Sequence, residues 1–365
     1  MTLSIGIVGL PNVGKSTLFN AVTNSGVEAE NYPFCTIEPN KGIVPIPDPR
    51  LEKLGALSNT DKIINATIEF VDIAGLVKGA ANGEGLGNQF LTNIRQTSAI
   101  CHVCRCFSDD NITHVHGNID PLYDIDIINS ELLLADLQQV EKMRDAQQKK
   151  AKSNKKEEVA LLSLLNKLYD HLSTENPVRT IQLSETEEKL CKQYQFLTAK
   201  KVIYVANISE DELMNKLPKS VEKVKEYANN MNDQVVVISA KIEQELSQLE
   251  PDEKKEYLAE LGLEQSGLDQ LSKACFKLLG LQTFLTTGKK ETRAWTIPSG
   301  SLAPQAAGVI HTDFEKGFIR ANIINYLDFI KVENLKVAKE KGLVRQEGRD
   351  YIMQEGDIVE FLFNV

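Results

Sequence analysis

The stretch Gly9-Leu10-Pro11-Asn12-Val13-Gly14-Lys15-Ser16 constrains this chain more than any other part of it. It fits the pattern G-x-x-x-x-G-K-S. It also lies between an apolar run, Leu3 to Gly9, that reads as a strand, and Ser16 to Val22, which reads as a helix. In that setting the loop amides converge on phosphate oxygens at a helix N-terminus, where unsatisfied N–H groups and the helix dipole favour negative charge. Gly9 and Gly14 allow backbone geometries that bulkier residues resist. Lys15 is expected to reach the β and γ phosphates, and the Ser16 hydroxyl to supply one small oxygen ligand to Mg2+.

Further β-rich runs at Thr67 to Val71, Ala99 to Phe107, Lys201 to Ala206 and Gln234 to Ser239 are spaced widely enough for helical crossovers. That pattern predicts an α/β fold with a parallel sheet. Between the second and third of these runs the chain becomes rich in Leu, Glu, Gln and Lys. Leu133, Leu137 and Val140, then Val159, Leu162, Leu165 and Leu168, fall at helical spacing and predict two long helices. Their polar middle, positions 141 to 158, holds seven basic and four acidic residues, and reads as a solvated hairpin tip or a basic contact surface. From Leu281 onward, β-prone segments around Ala294 to Ile297, Gly317 to Ala321 and Ile358 to Phe361 predict a small α+β domain. The expected division is therefore 1–128 with 201–280 for the nucleotide domain, 129–200 for an inserted helical domain, and 281–365 for the last.

Composition narrows the setting. With 41 basic and 51 acidic residues the net charge is -10, which argues against a wholly nucleic-acid-coating surface while leaving room for a local basic patch. Six cysteines, unevenly spaced, do not form a secreted disulfide framework, and no apolar run is long enough to span a membrane. The expectation is a cytoplasmic protein with no membrane partner. Cys101-His102-Val103-Cys104-Arg105-Cys106 suggests zinc at first sight. Strand alternation, however, puts His102, Cys104 and Cys106 on one face and Cys101 on the other, so core packing is the reading taken.

Phe70-Val71-Asp72-Ile73-Ala74-Gly75 is a strand running into D-x-x-G. Asp72 can hold a metal-bound water, and the Gly75 amide can sense the γ phosphate. Upstream, Thr36 falls where a first switch is expected, so the predicted metal set is Ser16, Thr36 and Asp72. Leu76 occupies the place where many such enzymes carry a water-positioning glutamine, and leucine cannot align water. His114, beyond the Ala99 to Phe107 run, is a candidate for that task, beside Lys15 as the electrostatic catalyst.

Val202 to Ala206 is followed by Asn207-Ile208-Ser209-Glu210, and Val235 to Ile238 by Ser239-Ala240-Lys241. With Pro33-Phe34-Cys35-Thr36, Asp72-Ile73-Ala74-Gly75 and Asn118-Ile119-Asp120-Pro121, the chain resembles the YchF family of Obg-related P-loop GTPases over nearly its whole length. The resemblance implies a P-loop domain with an inserted antiparallel helical hairpin and a C-terminal β-grasp domain of TGS type. It also implies ATP hydrolysis and association with the ribosome, the large subunit included, with contact to rRNA or tRNA and no obligate homo-oligomer. It places Leu76 in the subclass with a hydrophobic residue at the glutamine position, and it raises the possibility of K+ near the phosphates through Asn12.

The base loop bears on the nucleotide independently. A guanine reader uses N-K-x-D, whereas Ile208 brings no cation over the base and Glu210 is one methylene longer than aspartate. Asn207 could face N7 and the adenine amino group, which favours ATP with GTP kept as the alternative. The nucleotide is thus expected against Asn12, Val13, Gly14, Lys15, Ser16 and Thr17, against Asn207, Ile208 and Glu210, and against Ser239, Ala240 and Lys241. In the last domain Lys316 and Arg320 are candidates for RNA contact, while alternation directs Phe318 inward. Two other functions stay open: a GTP-dependent switch that binds RNA or protein, and an ATP-binding scaffold without turnover.

Overall fold

Strand β1 (Ser4–Val8) is buried at every position, as the apolar run before the glycine loop requires of a central strand. The remaining strands follow in chain order: β2 (Lys41–Pro45), β3 (Ile63–Ile64), β4 (Thr67–Asp72), β5 (Ala99–Arg105), β6 (Lys201–Asn207), β7 (Gln234–Ile238), β8 (Leu281–Thr287), β9 (Thr292–Pro298), β10 (Phe318–Asn325), β11 (Arg345–Glu347) and β12 (Asp357–Phe363). They come from a computed structural model that describes residues 3–25, 40–74, 85–108 and 119–364. The chain divides into two compact units, Met1–Ile43 with Glu69–Leu271, and Val44–Ile68 with Ser272–Val365.

In the first sheet the order is β2-β4-β1-β5-β6-β7. β1 pairs in parallel with β4 and β5, and β5–β6 and β6–β7 are parallel too. Registers Ile7 with Asp72, Val8 with His102, Arg105 with Asn207, and Asn207 with Ile238 bring the carboxyl ends of five strands to one edge. In an open parallel sheet that edge is where ligands bind. β5 is buried along its whole length, whereas β2 alternates, as an edge strand does.

The hairpin's first arm runs Pro121–Ala151 and its second Lys156–Ser173. The first arm begins earlier than the leucine periodicity indicates. Asp120 is its N-cap, accepting from the Leu122 amide at 3.3 Å, and Pro121 occupies the first turn, where its missing N–H costs nothing. Leu164, Leu165, Leu168 and Leu172 of the second arm close on Val140, together with Phe196 and Cys191. Cys191 belongs to a third, short helix, Glu185–Gln193, opened by a reciprocal Ser184–Glu187 cap. At the root the buried Asp136 carboxylate accepts from the Leu197 amide (2.9 Å), the Thr198 amide (2.7 Å) and the Thr198 hydroxyl (2.7 Å), just ahead of β6.

The second unit is a mixed sheet in the order β11-β10-β12-β8-β9-β3, with β8–β9 and β10–β12 antiparallel and β12–β8 parallel. Helix Ala303–Ile310 presents Ala303, Ala306 and Ala307 to Phe284, Ile297, Phe318 and Ile323, small residues that let it approach the sheet closely in a β-grasp arrangement. Phe318 is indeed in this core, and Lys316 and Arg320 are exposed. Residues 44–68 join this unit through β3, which pairs with β9, and through Arg50. The Arg50 guanidinium donates to Asp48 (2.7 Å), Thr283 (3.0 Å) and Glu355 (2.6 Å), and Glu355 accepts from the Thr283 amide at 2.7 Å.

Candidate functional site

Helix Lys15–Asn24 starts directly after Gly14, which sits at φ +91°. A side chain at position 14 would be doubly excluded, because that φ is left-handed and a Cβ would lie 2.1 Å from Asn207 Nδ2. Asn12 also has positive φ, so the loop turns on itself while Val13 anchors it, its side chain fully buried. Lys15 Nζ is in an ion pair with Asp72 Oδ1 at the end of β4.

On the other side Asn207, only 4% exposed, ties three segments together. Its Nδ2 donates to the Val13 carbonyl at 2.9 Å, its Oδ1 accepts from the Ala240 amide at 2.9 Å, and its own carbonyl accepts from the Cys106 amide at 2.8 Å. One amide proton and one lone pair of the side chain are thereby committed to the scaffold, leaving one of each for a base. Ser209 and Glu212 form a reciprocal cap that fixes the turn after Asn207, with Glu210 at the first position of the helix it opens.

Between these two sides lies a cavity of about 740 Å³, in the range of small-molecule sites. Of the expected residues, Asn12, Gly14, Lys15, Ser16, Thr17, Asn207, Ile208, Glu210, Ala240 and Lys241 line it. Val13 acts through its carbonyl. Ser239 is 2% exposed, its hydroxyl has no hydrogen-bond partner, and it does not reach the cavity wall. Ile208 is 2% exposed and Lys241 is exposed, so one anchors the loop while the other is free to lay its stem over a ring.

Residues 4–167 match the family of 50S ribosome-binding GTPases, and residues 281–364 match the YchF-type GTPase C-terminal domain, described as a protein of unknown function. Proteins described as ribosome-binding ATPase YchF from Bacillus subtilis and Escherichia coli are 53% and 52% identical to it, each aligned over 100% of both chains. The YchF GTPase of Schizosaccharomyces pombe superposes with a TM-score of 0.90 at 36% identity, covering 99% of this chain and 98% of that one. The chain belongs to the YchF family.

Within this YchF-family site the structure adds residues that motif reading passed over. Phe107 and Ser108, immediately beyond β5, line the cavity, as do Leu10, Asp211 and Gln244. Phe107 is the one with an aromatic face to offer a base, and Arg105 sits 4.7 Å from its ring centroid. The signal was available in outline: a residue just past the carboxyl end of a parallel strand next to β6 faces the ligand edge.

The donor set suits Mg2+, since the Ser16 hydroxyl and the Asp72 carboxylate are small, hard oxygen groups at the phosphate end, and Lys15 already draws Asp72 there. Thr36, the third expected ligand, lies outside the described residues, as do Gly75, Leu76 and His114. Cys101 and Cys104 are buried in β5, and Cys106 is buried just beyond its end. Burial pushes the Cys101 and Cys106 thiols up to about 12 and raises Cys104 as well, so all three stay protonated.

Proposed function

We propose that this YchF-family protein hydrolyses ATP to ADP and phosphate, depends on Mg2+, and couples the cycle to ribosome binding, thereby regulating translation or a stress response. The observation that carries the reading is the joining of a phosphate loop and an Asn207-Ile208-Ser209-Glu210 base loop around one cavity, in a chain whose full-length bacterial relatives are described as ribosome-binding ATPases. Water is the acceptor in this reading, because among the described residues no second constellation specifies a small-molecule phosphoryl acceptor. Ribosome engagement, the large subunit included, implies a cytoplasmic protein; among the described residues no helix is long and apolar enough to cross a membrane.

In this mechanism the loop amides and Lys15 would grip the β and γ phosphates, Ser16 and Asp72 would hold the metal with Thr36, and Asn207, Glu210, Ala240 and Lys241 would position the base. Bound Mg2+ supplies neutralisation of the charge that grows on the transferring phosphoryl group. Lys15 adds to it by matching that charge in a site where water is partly excluded. Asn12, at positive φ on the exposed crest of the loop, is the residue through which K+ would stimulate turnover. His114 orients the attacking water in place of the glutamine that Leu76 replaces.

GTP is the second reading, because the fission-yeast relative is described as a GTPase. Competition between ATP and GTP, followed by phosphate release with and without ribosomes, decides between them. A strong preference for GTP overturns the base assignment, and binding without release leaves only a scaffold. Equal turnover in K+ and Na+ at fixed ionic strength removes the K+ role.

A further inference from the structure

The tip of the helical hairpin concentrates positive charge on an otherwise acidic protein. From Ala146 to Lys156 the chain carries Lys149, Lys150, Lys152, Lys155 and Lys156 and no acidic residue, against a whole-chain net charge of -10. All five lysines are exposed. The turn beneath them is well defined. Asn154 takes the left-handed conformation, Ser153 donates from its hydroxyl to the Lys150 carbonyl at 2.8 Å, and the buried Gln147 crosses to the Glu158 carbonyl at 3.0 Å.

Helix stability explains only part of this arrangement. Lys149 and Lys150 end the first arm, where cations complement the dipole. Lys155 and Lys156 do the opposite. They are the N-cap and first residue of the second arm, where the dipole disfavours cations, and Lys155 provides no side-chain cap. Among the described residues, none of the five makes an ion pair that would relieve their mutual repulsion. A tip selected for solubility alone would interleave its charges, whereas here Glu157 and Glu158 begin only after the last of the five lysines, and one that docks a protein would carry an apolar or aromatic anchor. Here the largest apolar side chain between Gln148 and Glu157 is that of Ala151.

We propose that this lysine tip is an RNA-docking surface that grips the phosphate backbone. Point charges on flexible stems, clustered on a rigid arm, suit a regular polyanion and carry no sequence preference of their own. The assignment rests on the ribosome-associated reading above and gives the site and chemistry of one contact.

The test uses the full chain with Lys152→Gln, Lys155→Gln and Lys156→Gln combined, sparing the two lysines that support the first arm. Basal ATP turnover, which involves none of these residues, should be unchanged and reports an intact fold. Affinity for a short RNA duplex should fall by roughly tenfold or more near physiological salt, and the slope of log affinity against log salt should flatten by about 0.9 per lost phosphate contact. Ribosome co-sedimentation should weaken in parallel. Wild-type affinity and slope in the variant overturn the proposal, as does a wild-type protein that binds no duplex. Lost ribosome binding with unchanged duplex affinity also overturns it, by assigning the tip to a ribosomal protein. If the wild type binds duplex with a slope the variant lacks yet never co-sediments with ribosomes, the tip stands and the ribosomal reading fails.

Discussion

Lys15 and Asp72 show how one contact can serve two masters. Their ion pair holds the loop lysine near the end of β4, whereas in the proposed mechanism a phosphate tail would claim that ammonium and a metal ion that carboxylate. Replacing Asp72 with Asn should therefore raise affinity for metal-free ATP a few-fold while cutting metal-dependent turnover by roughly 100-fold, as loss of a transition-state electrostatic group does. Isothermal titration with chelator present, set beside phosphate release, measures both. At the far end of the cavity, Phe107→Ala should weaken ATP by about tenfold, the scale of one base–aromatic stack, with little change in turnover at saturation. Equal affinities by titration would remove Phe107 from base recognition. His102 sits 1% exposed in β5 with no partner for Nε2, and burial, then the nearby Arg179 charge, pushes its pKa down to about 3. The unfolded chain takes up a proton on this histidine below about pH 6.5 while the folded chain does not, so stability is lost as pH falls from 6.5 toward 3. Urea unfolding at pH 7 and pH 5 should show wild type losing about 2 kcal/mol more than His102→Gln over that interval.

At the scale of elements, the link between hairpin and nucleotide sheet runs through Asp136. Burial raises its pKa, while hydrogen bonds from Thr198 and Leu197 work in the opposite direction. Its three donors lie just before β6, and β6 ends at Asn207, so the hairpin root and the base loop share one strand. Asp136→Ala strands those donors and should cost about 3 kcal/mol in chemical denaturation. A loss below about 0.5 kcal/mol, the range of ordinary surface changes, would mean that this anchor carries little of the hairpin's attachment. The leucine period announced both arms, but not their start. Asp120-Pro121 is a sound helix opening, yet the residues after it bury on the sheet and so lack the one-sided pattern of a free-standing coiled arm.

For the whole molecule, the feature with most consequence is the membership of residues 44–68 in the unit built from the C-terminal sheet. Arg50 carries much of that membership by bridging Asp48, Thr283 and Glu355. Arg50→Ala should lower the stability of this unit by on the order of 2 kcal/mol, since it breaks a partly buried network rather than a lone surface pair. Scanning calorimetry should resolve a shift in one thermal transition with the other in place, and a uniform shift of both would argue that the two units unfold as one.

Local chemistry wrote the phosphate loop, the strand-to-helix entrance and the leucine arms into the sequence. Each is decided by neighbours within a few residues: a glycine at positive φ, a capping side chain, or an apolar period. Tertiary structure decided the rest. Ile63–Ile64 is too short to declare itself a strand and becomes one only because β9 offers it a ladder. Asn207 reads in sequence as a base contact, and only the fold shows it also holding Val13 to Ala240. Phe107 looks like one more apolar residue until the parallel register of β5 beside β6 sets it at the cavity edge. Long-range pairing cannot be read from a linear pattern, because its energy depends on partners whose distance along the chain the local sequence does not encode.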